Sequence, residues 1–212
     1  MDSKWSPLNI LGMLALAIFT IFTLTSVAFY PTPYNPLYDW LSNLGNSNLN
    51  PSGALFFNWG CIITGIILIP FFIGLYQWHP VRKLSKILLV LGMLLGIFAS
   101  VSLIGVGFFP ETHIKLHVLA ASGVFGSIFL IIILLNISLY KNPEFMRPVA
   151  YWGILAIIMD LSFKIMLSQP QYKDLLANFN PTIPIPGLEW LTVYISLIWI
   201  ALLSYNMWNK NI

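Results

Sequence analysis

"KILLVLGMLLGIFASVSLIGVGFF", residues 86–109, continues for twenty-three residues after its lysine without another charge. At 1.5 Å of rise per residue a helix of that length spans ~35 Å, enough for the ~30 Å hydrocarbon core of a bilayer. A barrel strand would need only about ten residues and would alternate polar with apolar; this stretch does not alternate. It is a transmembrane helix, and it sets the reading of the rest of the chain.

Five further blocks of the same character give spans at about 8–29, 54–76, 114–140, 149–168 and 188–208, with the quoted stretch supplying 86–108. Composition agrees: 58% of the 212 residues are hydrophobic and 8% are charged, against about 25% charged in ordinary soluble domains. The expected fold class is all-α: a polytopic integral membrane protein, a six-transmembrane-helix bundle forming a single transmembrane domain over 1–212.

An even number of spans puts both termini on one side. Lys4, Arg82, Lys83, Lys86, Lys141, Arg147 and Lys210 gather on that side, and only Lys115 and Lys173 lie opposite. The excess of Lys and Arg predicts cytoplasmic N- and C-termini in a multi-pass protein of the cell membrane. Trp5, Trp78, Trp152 and Trp208 fall at the inner interface and Trp40, Trp59 and Trp190 at the outer one, as aromatic belts do. Lys4 followed by an apolar run ending in Ser26-Val27-Ala28 has a signal-peptide flavour, but the run is long for such a segment and reads as a retained helix. The lone Cys61 lies inside span two, which rules out an intrachain disulfide and multi-cysteine metal or haem motifs. The net charge of +3 comes from the inner loops; it speaks for topology and anionic lipid, not for nucleic acid.

The outer links, 30–53 and 169–187, are long and rich in Pro, Asn and Tyr, so function is expected on that side. In "YDWLSNLG", 38–45, Trp40, Leu41 and Leu44 continue from Leu37 at i, i+3, i+4 and i+7, while Asp39, Ser42 and Asn43 make a polar stripe. That pattern predicts a short interfacial helix in the first outer loop. Either its apolar face rests in lipid or its polar stripe turns inward over the bundle.

In "GVGFFPETHIKLHVLAA", 105–121, Pro110 ends span three and Thr112 is placed to cap span four, with Glu111, His113 and His117 behind it. Two imidazoles four residues apart share a helix face, the spacing that lets both reach one metal. With Asp39 or Glu111 as carboxylate, His113, His117 and Asp39 form a candidate zinc site; simple snorkelling of interfacial His competes with it. Span five carries Asp160 and, one turn nearer the outer side, Lys164. Charges inside a membrane face a protein interior or a wet cavity, or neutralise each other as a pair. Together Asp39, Ser42, Asn43, Glu111, His117, Asp160 and Lys164 make the candidate ligand set of an outward-opening polar pocket among spans three, four and five.

The pattern Asp39-x-x-Ser42-x-Leu44-Gly45, "FFNWG" at 56–60 and "GFFPETHIKLHVLAA" at 107–121 resembles the domain-of-unknown-function 998 family of archaeal and bacterial membrane proteins. The resemblance covers nearly the whole chain in span order and implies a six-helix protein of no established activity. Asp39, Ser42, Gly45, Pro110 and His117 match its pattern; His113, Asp160 and Lys164 do not carry over. A more remote likeness to the Frag/DRAM group brings no function. Alkaline-ceramidase-like hydrolases use Ser, Asp and His at one membrane face, but here only two His lie outside and six spans replace seven.

Three functions are compatible with these residues. The favoured one is non-enzymatic and without a cofactor: an outward polar pocket acting by lipid or small-ligand binding, or as a component of a membrane complex. The second is a metal-assisted lipid hydrolase using zinc. The third is an accessory subunit meeting membrane protein partners through Gly92-x-x-x-Gly96 or Ser122-x-x-x-Gly126.

Overall fold

The computed structural model describes residues 6–169, 185–210 and 212. Lys4, Trp5, Lys173 and most of the 169–187 link lie outside the described residues. Six α-helices carry the fold: α1 (Leu11–Ala28), α2 (Ala54–Gly74), α3 (Lys83–Phe108), α4 (Ile114–Leu139), α5 (Arg147–Ser168) and α6 (Ile185–Lys210). No strand occurs among the described residues. With their flanking 3-10 turns, all six are long and apolar enough to cross a membrane, so the protein is an all-helical, multi-pass membrane protein.

The helix ends follow the local chemistry. A 3-10 turn at Pro7–Ile10 leads into α1, and a second, Leu75–Trp78, extends α2 to the residues before Pro80. Pro148 sits in the first turn of α5, where a missing N–H costs nothing. Thr112 does not cap α4 as the spacing suggests. Glu111–His113 forms a 3-10 turn, and Thr112 Oγ1 contacts His113 Nδ1 at 3.2 Å instead.

Each helix packs on the next in chain order, and α6 returns to α1, so the six form a closed ring. Lipid tails are as apolar as leucine, so close approach and hydrogen bonding, not hydrophobicity, must hold such a ring. At Gly65 a Cβ would stand 2.6 Å from the Ser100 carbonyl oxygen of α3, and at Gly96 it would overlap the Phe72 ring of α2. The ring closes through Ser204 of α6, whose Oγ donates to the Asn9 carbonyl at 2.6 Å and accepts from the Gly12 N–H at 3.1 Å. Leu24, Ile66, Leu94, Leu119, Ile154 and Leu191, one from each helix, are exposed on the outside, the face that meets lipid.

The Gly92-x-x-x-Gly96 pair is used within the ring, Gly92 against Leu135 of α4 and Gly96 against Phe72. Ser122 and Gly126 face outward, with nothing within 4 Å of a Cβ at Gly126.

The link between α1 and α2 folds over one end of the ring, called here the cap end. The expected interfacial helix is instead a five-residue 3-10 turn, Leu41–Gly45, and its apolar side does not rest in lipid. Leu41 and Leu44 are buried in the bundle core, while Leu37 stays exposed. Asn50 locks this cap: its Nδ2 donates to the Leu44 carbonyl and to Ser26 Oγ, both at 3.0 Å, and its Oδ1 accepts from the Gly53 N–H at 3.0 Å.

Candidate functional site

A cavity of about 100 Å³ lies inside the ring, running inward from the cap end. Its wall comes from α1, α2, α3, α4 and α6, with Leu41 and Ser42 of the cap above it; α5 contributes no lining residue. The wall is almost entirely apolar, built from side chains such as Phe19, Phe57, Leu103, Phe125 and Ile128. Its polar groups are Ser42, Ser100, His117, Glu189, Thr192 and Ser196. Glu189, Thr192 and Ser196 are at i, i+3 and i+7 of α6 and so form one stripe facing the cavity.

Glu189 sits one turn into α6 and is 8% exposed. Its Oε2 accepts the Leu41 N–H at 2.7 Å, so a buried acidic side chain of α6 holds the loop between α1 and α2 in place. Trp190 beside it donates from Nε1 to the Tyr34 hydroxyl and to the Asp39 carbonyl, each at 3.2 Å. The Tyr34 hydroxyl donates in turn to the Trp40 carbonyl at 2.7 Å. Burial pushes the Tyr34 phenol above its ordinary value, so it stays protonated and able to donate.

Ser42 Oγ donates to Glu111 Oε1 at 2.5 Å, and Asn46 Nδ2 to Glu111 Oε2 at 3.4 Å. The two quoted motifs of the sequence, 38–45 and 105–121, therefore do meet, through Ser42 and Glu111. His117 is 7% exposed, and its Nδ1 lies 2.9 Å from the Phe109 carbonyl oxygen. A carbonyl only accepts, so Nδ1 carries the proton and Nε2 is left with a lone pair in the neutral ring.

Other candidates fall elsewhere. Asp39 Oδ2 accepts the Asn35 N–H at 2.7 Å and shapes the loop, outside the cavity lining. Asn43 is half-buried in the cap and does not line the cavity. His113 is exposed on the 3-10 turn while His117 is buried, because α4 begins only at Ile114 and the helical four-residue relation does not reach back to His113. Among the described residues no three His, Cys, Asp or Glu side chains converge as metal ligands do.

Asp160 is fully buried and paired with Lys164 through Oδ2, with Oδ1 unpartnered. The Lys164 ammonium lies 4.8 Å from the Phe129 ring centroid of α4. Neither residue lines the axial cavity, which α5 does not reach.

Glu189 was missed by sequence reasoning. The signal was available: an acid just inside an apolar block, followed by Thr192 and Ser196 on the same helix face.

Nothing matches the chain among the curated proteins, and nothing among the solved structures. One family model does, over residues 13–206, from within α1 to within α6 and including the cap and every cavity-lining residue named above. The chain belongs to the family described as "Protein of unknown function (DUF998)".

Proposed function

We propose that this protein binds the apolar chain of a single-chain amphiphile in its axial cavity, with the polar head at the cap end. The observation that supports this is an apolar cavity ending in Ser42, His117 and Glu189. Specific ligand sites are of this kind, mostly apolar with a few placed polar groups. The cavity's volume of about 100 Å³ is below the ~300–1,000 Å³ of sites for drug-sized ligands; it suits a short chain segment, not a two-chain phospholipid. Ser42, His117 and Glu189 are the ligand-facing residues, with Glu111 held behind Ser42.

The test is binding of a radiolabelled eight-carbon alcohol to the full chain in phosphatidylcholine nanodiscs. An Ala121→Trp variant places an indole in the cavity lumen and is expected to lower affinity at least about tenfold, while its ligand-free melting temperature stays at or above that of the wild type. Equal binding by the two proteins would overturn the reading.

The same proposal places the protein in the cell membrane with its termini in the cytoplasm. Arg82, Lys83, Lys86, Lys141, Arg147 and Lys210 all lie at the end of the bundle opposite the cap, and excess Lys and Arg favours the cytoplasmic side. A phosphatase reporter fused after Ile212, active only outside the cytoplasm, is expected to be silent. The same reporter inserted after Asn48 in the exposed cap link is expected to be active. Reversed signals would invert the topology.

A further inference from the structure

Resting on that reading, the geometry points to the class of head group: we infer that the cavity selects a cationic, hydrogen-bond-donating head, a primary ammonium, over a carboxylate or phosphate. The argument is a count of donors and acceptors at the mouth. Ser42 has one hydroxyl hydrogen, and it is committed to Glu111 Oε1 at 2.5 Å, leaving the oxygen's lone pairs. His117 commits its Nδ1–H to the Phe109 carbonyl at 2.9 Å, leaving the Nε2 lone pair. Glu189 Oε2 already takes the Leu41 N–H, and an ammonium beside it holds the side chain as a carboxylate with Oε1 left to accept. Three side chains line the mouth of one cavity, and towards an ammonium each has acceptor capacity to spare.

Charge runs the same way. Glu189 lines the cavity and Glu111 stands directly behind Ser42, while no Lys or Arg is among the described lining residues. An anionic head would meet the Ser42 and His117 lone pairs at the mouth with no Lys or Arg among the described lining residues to compensate it, a costly arrangement for a buried ion. An ammonium brings three donors, no acceptor and the opposite charge. Deeper in the cavity Ser196, 5% exposed, lines the wall with its Oγ lacking a partner among the described residues. A hydroxyl that is buried without a partner is an unmet cost that a second polar group on the ligand would relieve. The ligand class is therefore a short single-chain amine, with room for a hydroxyl a few carbons below the head.

The experiment compares octylamine, octanol and octanoate at pH 7, each with the full chain in phosphatidylcholine nanodiscs, with binding read by the shift in thermal unfolding midpoint. Octylamine is expected to bind roughly tenfold more tightly than octanol, the difference between a charge-assisted and a neutral hydrogen bond, and octanoate more weakly than either. Glu189→Gln keeps an acceptor for the Leu41 N–H but removes the charge, and should bring octylamine down to the octanol level. Glu111→Gln, which leaves the Glu189 contact untouched, should reduce the preference for amine in the same direction and covers the case in which Glu189→Gln fails to fold. Octanoate binding as well as octylamine, or an amine preference unchanged in both variants, would overturn the inference while leaving the amphiphile reading intact. Failure of all three compounds to bind would instead overturn the amphiphile reading, and this inference with it.

Discussion

A Gly65→Leu protein is expected to lose about 3 kcal/mol of stability, the upper range for overpacking, when unfolded by SDS titration in mixed micelles. Even a methyl group at this position would stand 2.6 Å from a backbone oxygen of α3, that of Ser100, and 2.6 Å from Ile104 Cγ1. A flexible side chain would swing aside, but a carbonyl fixed in a helix cannot. The helices must separate, and the α2–α3 contact is one link of the closed ring. A control at Gly126, where a Cβ meets nothing within 4 Å, should change stability by less than about 0.5 kcal/mol, as outward-facing substitutions do. Equal losses at the two positions would mean that close helix approach is not what holds the ring.

Lys164→Met is expected to cost about 3 kcal/mol by the same measurement, since breaking a buried pair leaves an uncompensated charge on the partner. The figure is at the low end of the usual range because the Lys164 side chain is 33% exposed while Asp160 is fully buried. The double variant Asp160→Leu with Lys164→Met should return to within about 1 kcal/mol of the wild type, because replacing both ions by apolar groups removes the desolvation cost together with the attraction. That recovery, with ligand binding unaffected, is the signature of a pair that holds packing. A double variant as unstable as the single one, or one that no longer binds octanol, would show that the pair has a role in the site.

The helices were legible because their signals are local. Charges, prolines and apolar length place each end within a few residues; the 86–108 and 188–208 spans differ from their helices by three residues at the start, where α3 begins at Lys83 and α6 at Ile185. The Asp160–Lys164 pair was legible for the same reason, since four residues along one helix always bring two long side chains together. The cap was harder. Leu37, Trp40, Leu41 and Leu44 make an apolar stripe whether it faces lipid or protein, because the two environments are equally apolar and the pattern cannot distinguish them. The structure divides the stripe, burying Leu41 and Leu44 and leaving Leu37 outside.

The axial cavity was not legible at all. It exists because α6 closes on α1, a contact between the two ends of the chain that no local pattern encodes. Glu189 was overlooked for a related reason: an acid at the edge of an apolar block reads as a solvated flank, and only the folded chain shows that the loop above it supplies the Leu41 N–H. The His113–His117 spacing failed because the helix was assumed to begin too early, at a residue that instead belongs to a 3-10 turn.

The closed ring also has a consequence for how the molecule is made. Helices emerge from the ribosome in order, and each of α2 to α5 packs on a helix made before it. Ser204, which stitches α6 to Asn9 and Gly12, and Glu189, which anchors the cap at Leu41, are both carried by the last helix. Until α6 has been made the bundle is an open horseshoe whose cap lacks the Glu189 side chain that holds it. The arrival of α6 thus completes both the wall and the roof in one step, and a chain halted before it would show the membrane's quality-control proteases an unlatched loop and an unsealed polar seam.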